Sequence, residues 1–434
     1  MHNVRDFGAV GDGVTNDTAA VQQAIDAGGS VYFPDGTYRV GTLWLRSGGG
    51  LDLAPGAVLL ASPDPDDYRS GKVCQQEAGS QIGGGSLAHL IVALEVSNVF
   101  IRGGKIDGNG RTFYRNSAFH ERFTGGTQYE PAKWRPQQLI FFCECSDVRL
   151  TDFTIEDATS WGCFLYGCEN VIVRGLNIFN SPYISEDDGL DIDCCRFVTV
   201  SDCNICVGDD ALTLRANPRK LKKPRPCEWI TVTNCLLKSA YAHAIRVGVG
   251  TGIIRHCCIS QTLIRESHCA VHINSKYSDR DGTPDGVEIS DVVFRQLQIE
   301  TEMLASICLD YKFVESHPCR NSIRNITFSD ITGSVSMPSR IVGNGIGKVE
   351  HIRFRDLDLQ AEGTCNIPDR TRKFLMLDRT DGVFLLRKTA DVEFDHVCMR
   401  FEHPENWGKA LIEEDCSETR IFESSFEPAG RRKI

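Results

Sequence analysis

The feature that most constrains this chain is a repeat. After about residue 85, short β-rich runs recur as Val99-Phe100-Ile101, Val148-Arg149-Leu150, Val171-Ile172-Val173, Val198-Thr199-Val200, Ile230-Thr231-Val232, Ile253-Ile254 and Val287-Glu288-Ile289. The steps are 23 residues from Val148 to Val171, then 27 to Val198, 32 to Ile230 and 23 to Ile253. Later members lie at 323–328, 349–354 and 392–394. One such unit cannot bury its apolar face alone, so copies must stack. A period in the low twenties, with excess on some rungs, predicts an all-β chain: a right-handed parallel β-helix with loop insertions. A propeller needs repeats of about 40 residues or more, and the leucine-rich signature is missing. Cys203, Cys235 and Cys257 follow their strands at what read as matching positions.

The opening segment differs. Asn16 or Asp17 can cap a short helix with Val21, Ala24 and Ile25 on one face, and Gly28-Gly29 ends it. A strand and turn follow from Ser30 to Tyr38. Such a unit caps a solenoid end that would otherwise expose core and strand edges. With 40 Gly and 16 Pro but no long linker, the expectation is one domain over 1–434. Residues 1–84 would form the cap and first coils, and 85–434 the main coils.

The net charge of −11 argues against a nucleic-acid partner, and no run of about 18 apolar residues suits a membrane span. An anionic substrate would need a local basic site. The N-terminus shows no secretion leader, and 19 cysteines without paired Cys-x-x-Cys sets argue against both a disulfide framework and zinc. The expectation is reduced, buried thiols in a cytoplasmic protein, or a secreted one if a leader has been removed, with no metal or cofactor. The oligomeric state is not legible.

The densest acidic run is Ser185-Glu186-Asp187-Asp188-Gly189-Leu190-Asp191-Ile192-Asp193, followed by Gly208-Asp209-Asp210. Asp188 and Asp209 are 21 residues apart, about one coil. Adjacent rungs lie about 4.8 Å apart, so the runs can share one outer patch. Crowded carboxylates repel, which separates a protonated acid from ionised bases, as glycoside hydrolysis requires. Asp191 and Asp193 must share one strand face, with Ile192 on the other. Either run alone reads equally well as turn chemistry or a calcium site. His243, in Tyr241-Ala242-His243-Ala244-Ile245-Arg246, follows 33 residues after Asp210, across a Lys-rich insertion at 215–226. An imidazole one rung further along can share a proton with the acid.

These motifs resemble glycoside hydrolase family 28, the polygalacturonases and their relatives. The family's Asn-Thr-Asp-Gly matches Glu186-Asp187-Asp188-Gly189, its Gly-Asp-Asp matches Gly208-Asp209-Asp210, and its Gly-His-Gly matches Ala242-His243-Ala244. Gly103-Gly104-Lys105-Ile106-Asp107-Gly108-Asn109-Gly110 and Arg135-Pro136 resemble its first coils, and the resemblance spans about residues 4–360. It implies Asp209 as general acid, Asp188 and Asp210 as the pair that holds and deprotonates water, and His243 in support. It also implies inversion at the anomeric carbon without a metal.

The departures bear on substrate. Glu186 replaces Asn, and alanines flank the histidine. The family's Arg-Ile-Lys, which holds the galacturonate carboxylate, falls on His272-Ile273-Asn274. Losing both cations suggests a different sugar, or cations from elsewhere, with Arg215, Arg246 and Lys276 as replacements. Glu186 and Asp187 are further substrate contacts. Trp161 and Tyr183 are candidates for a sugar-stacking wall, beside aromatics at 111–134 (Phe113, Tyr114, Phe119, Phe123, Tyr129, Trp134). Insertions near 111–134, 215–228 and 275–286 would close a groove and favour chain ends. The expected function is inverting hydrolysis of α-glycosidic bonds in pectin-type or related oligo- or polysaccharides. The alternatives are a polysaccharide lyase on the same fold, with an Arg or Lys base and often calcium, and a non-catalytic glycan-binding β-helix.

Overall fold

The structure, a computed structural model, describes residues 1–68, 88–115, 130–132, 134–184, 186–278, 285–311, 314, 316–362, 382–408 and 411–425. Two compact units emerge. The first takes described residues up to Thr213 plus Asn217–Ile230, and the second takes Leu214–Ala216 and described residues from Thr231.

Each unit is a stack of parallel β-coils, so the fold class is the parallel β-helix the repeat predicts. In the first unit the repeated runs pair in register. Val99, Val148, Val171 and Val198 form one column, and Ile106, Ile155, Ile178 and Ile205 another. These side chains are buried and form the core. The corners explain the polar residues between runs. Asn98, Asp147 and Asn170 have φ of 53, 55 and 56°, and Asp152 and Gly175 turn the next corner at 57 and 65°. Asn, Asp and Gly tolerate the left-handed region best, so the corner chemistry is local.

The cap forms as expected, with a helix over Thr18–Asp26 that buries Val21, Ala24 and Ile25. Asn16 Oδ1 accepts from Thr18 N (2.9 Å). The Asp17 carboxylate accepts instead from the Val10 and Gly11 amides, tying the helix start to the preceding turn.

In the second unit the strands are longer. Ile253–Lys276 and Glu288–Asp310 pair along most of their length. Phe294, Phe328, Phe354 and Phe394 stack on consecutive coils, with ring centroids 5.0, 5.0 and 5.1 Å apart. One cysteine expectation needs correction. Each of the three follows a left-handed residue, Asp202, Asn234 or His256, but Leu236 pairs with Leu263, so Thr262 rather than Cys257 occupies the position next to Cys235. The described cysteines are free thiols, most of them buried, where they pack as small hydrophobes.

Candidate active site

The first unit assembles the acids through register. Phe164 pairs with Asp191 and Tyr166 with Asp193, while Leu165 pairs with Ile192. Ile192 thus joins the core column and its flanking aspartates share the opposite face, as alternation requires. The acidic run before this strand meets the Gly208-Asp209-Asp210 turn of the next coil. Gly189 N donates to Asp210 O (2.9 Å) and Leu190 N to Ala211 O (3.1 Å). A Cβ on Gly189 would lie 2.5 Å from Ile205 Cγ2 and 2.6 Å from Ala211 O, so only glycine permits this approach.

Asp188, Asp209 and Asp210 each present a carboxylate oxygen within 4.8 Å of the others. Asp188 and Asp210 are buried and Asp209 is half-buried. Carboxylates this close favour sharing a proton. All three offer oxygen, so the set also suits a hard cation. Backbone amides hold it in place. Asp210 N donates to Asp188 Oδ1 (3.3 Å) and Glu186 N to Asp209 Oδ2 (3.0 Å). Glu186 has φ 65°, a strained value for this residue type. Its side chain accepts from Arg135 Nη2 at 2.9 Å.

Three expected substrate contacts are corrected. Asp187 is fully buried, and its two oxygens accept from Gly208 N (3.0 Å) and Asp209 N (2.7 Å). Burial pushes its carboxyl well above the usual range, opposed by the Gly208 amide. It is a clamp for the turn and touches no open surface. Lys276 is equally buried, and its ammonium is committed to the His317 carbonyl, so its charge is already used within the fold. Trp161 is 6% exposed and packs edge-on against Phe164 at 5.2 Å, whereas Tyr183 is 46% exposed. Of the 111–134 aromatics, Phe113 packs on Trp134 (5.9 Å), which also meets Tyr68 (5.3 Å). Tyr114 donates to Ala158 O, and Phe119, Phe123 and Tyr129 lie outside the described residues.

The second unit holds the remaining candidates. His243 and His272, both buried, stack at 4.2 Å, and His272 meets Tyr311 at 4.5 Å. Arg246 pairs in register with His272, its guanidinium lies 5.1 Å from the Tyr277 ring, and Nη2 donates to Asn274 Oδ1 at 3.4 Å. Arg215 is half-buried. Burial raises Tyr311 far above the ordinary phenol, opposed by Arg246 and Arg340. Sequence reasoning did not single out Arg135, Tyr277, Tyr311 and Arg340, which the structure places beside these candidates. For Arg135 a signal existed, since it lies in a quoted motif. For Arg340 none did.

Comparison with known proteins follows the same pattern. The sequence profile of glycosyl hydrolases family 28 matches residues 73–371, and one described as rhamnogalacturonase A/epimerase, pectate lyase-like, matches 1–43. A probable polygalacturonase from Vitis vinifera is 26% identical over 68% of this chain and 60% of its own length. An exo-poly-alpha-D-galacturonosidase from Dickeya chrysanthemi is 22% identical over 83% of this chain and 67% of its own. The chain thus spans about two thirds or less of these relatives. The solved structure of a Yersinia enterocolitica family 28 exopolygalacturonase superposes with a TM-score of 0.71 at 20% identity, covering 100% of this chain and 78% of that one.

Proposed function

Because this chain belongs to glycosyl hydrolase family 28, we propose that it is a glycosidase acting on α-linked pectic or related oligosaccharides by inverting acid/base hydrolysis. The observation that carries the acid/base reading is the set of three carboxylate oxygens from Asp188, Asp209 and Asp210 within 4.8 Å; inversion itself rests on the family resemblance, because this spacing is shorter than the roughly 6.5–9.5 Å usual for inverting pairs. Asp209, the most exposed of them, protonates the leaving glycosidic oxygen. Asp188 and Asp210 hold a water and take its proton as it adds to the anomeric carbon from the opposite face. His243 keeps the supporting role that family resemblance gives it. The names of the relatives above, polygalacturonases and exo-acting galacturonosidases, favour a galacturonate-containing substrate and action at chain ends.

The test incubates the protein with pectic and neutral oligosaccharides and follows product mass and anomeric configuration by NMR. Release of the inverted anomer from chain ends is expected. Retention, or rapid internal cleavage of a labelled polymer, would overturn inversion or end-wise action respectively. An ultraviolet-absorbing unsaturated product lost on chelation would replace hydrolysis by calcium-dependent elimination. Binding without any product would leave a glycan-binding module.

A further inference from the structure

Two carboxylate-binding cations of the family pattern are His272 and Asn274 here, yet the second unit contains a buried cation that no carboxylate pairs with among the described residues. Arg340 is fully buried. Its Nε donates to Ser306 Oγ at 2.8 Å. Nη1 and Nη2 have no hydrogen-bond partner, and neither does Nδ2 of the fully buried Asn274. The Asn274 amide orientation follows from its Oδ1 accepting from Arg246, which leaves Nδ2 as the idle donor. Buried polar groups are nearly always satisfied, and a buried charge without a partner is rarer still.

Register shows how these donors are arranged. Arg246, His272, Ser306 and Arg340 pair on four consecutive coils, on the face opposite Val247, Ile273, Ile307 and Ile341. The Arg340 guanidinium lies 5.9 Å from the Tyr311 ring, which also meets His272 (4.5 Å) and Tyr277 (5.7 Å). Arg340 and Arg246 both act electrostatically on Cys308, whose thiol burial pushes up to about 11. Among the groups facing this cluster, Asp310 is the one carboxylate acting on Cys308, and its oxygens are occupied by Cys319 N and Asn344 Nδ2. Arg246 and Tyr277 are the partly exposed members, with His272, Asn274, Tyr311 and Arg340 behind them. The cluster therefore gathers cations and idle N–H donors, with Arg246 and Tyr277 its partly exposed members, and among the described residues no anion answers the Arg340 Nη groups.

We infer that Arg340, with Asn274 Nδ2, forms a carboxylate-binding subsite that selects a uronate sugar, replacing cations absent at 272 and 274. A planar guanidinium with two idle Nη groups matches a carboxylate bidentately, and shielded from water that pairing is strong. The inference rests on the proposed pectic substrate, and it deepens it by naming the group that reads the carboxylate.

The test measures binding without turnover. Galacturonic acid and galactose are titrated into the full chain by calorimetry. The wild-type protein is expected to prefer galacturonic acid by about 10- to 100-fold, the range of a charge-assisted bond. Arg340→Met should reduce that preference toward unity, and Arg340→Lys should restore part of it. Asn274→Leu, which keeps the cation, should reduce it less, and it carries the test if Arg340→Met does not fold. Equal wild-type binding of both sugars overturns the subsite, as does an undiminished preference in Arg340→Met or, failing that variant, in Asn274→Leu. A wild-type protein that binds galacturonic acid through Arg340 but hydrolyses no pectic oligosaccharide overturns only the proposed function. A hydrolase whose preference survives the loss of Arg340 overturns only this inference.

Discussion

The outward faces of the two units solve opposite electrostatic problems in opposite ways. In the first unit four aspartates crowd two facing turns, and backbone amides answer three of them. Gly208 and Asp209 donate to Asp187, Asp210 N to Asp188, and Glu186 N to Asp209. In the second unit the crowded groups are donors, and the Nη atoms of Arg340 and Nδ2 of Asn274 remain unanswered. A satisfied cluster is rigid and holds its geometry for chemistry. An unsatisfied one carries a standing penalty that a ligand can relieve. Under the proposed function the acid patch is the part that reacts and the cationic column the part that recognises.

This contrast can be broken at several points. The largest expected effect is on turnover: Asp209→Asn should lower kcat by about 10²–10⁴-fold, the worth of a general acid, with an unchanged melting profile. Near wild-type rates of product release would move the chemistry away from the acid patch. Next is the clamp. Asp187→Ala strands two buried N–H groups, so unfolding in urea should show a loss of about 1–3 kcal/mol. An unaltered midpoint would mean that the turn holds itself without the clamp.

A smaller effect concerns pH. The Arg353 hydrogen bond, opposed by burial and aided by His351, holds the Asp391 carboxyl down at about 2. The unfolded carboxyl titrates at about 3.9, so this group adds stability above about pH 4 and loses it as pH falls toward about 2. Asp391→Asn should flatten the stability–pH curve in that window, and an unaltered curve would remove Asp391 from the acid response. The smallest effect is the most diagnostic. Arg340→Met replaces an unpaired buried charge by an apolar chain, so the ligand-free protein should melt at the same temperature or slightly higher. A clear drop would mean that Arg340 is structurally paired and that the contrast between the units is false.

Much of this was readable from residue order. Valine and isoleucine runs punctuated by Asn, Asp and Gly specify coils, because alternation selects strands and these residue types tolerate the left-handed corners of Asn98, Asp147 and Asn170. The acid patch was readable for a related reason. Asp187 and Asp209 are 22 residues apart, and parallel register turns one coil of separation into contact. What sequence could not separate was side-chain role within the run, since Asp187 and Asp188 are neighbours and only packing shows that one clamps the turn while the other joins the cluster.

The sequence by itself determined the coil, its corners and the acids of one turn, because each depends on local geometry or a single period. Tertiary structure alone decided the burial of Lys276 and the placing of Arg340. Arg340 lies two coils beyond His272, reached through steps of 34 residues each whose loop lengths no local rule fixes. Only the closed register brings its guanidinium to Tyr311, and only packing shows that, among the described residues, no acid hydrogen-bonds to it.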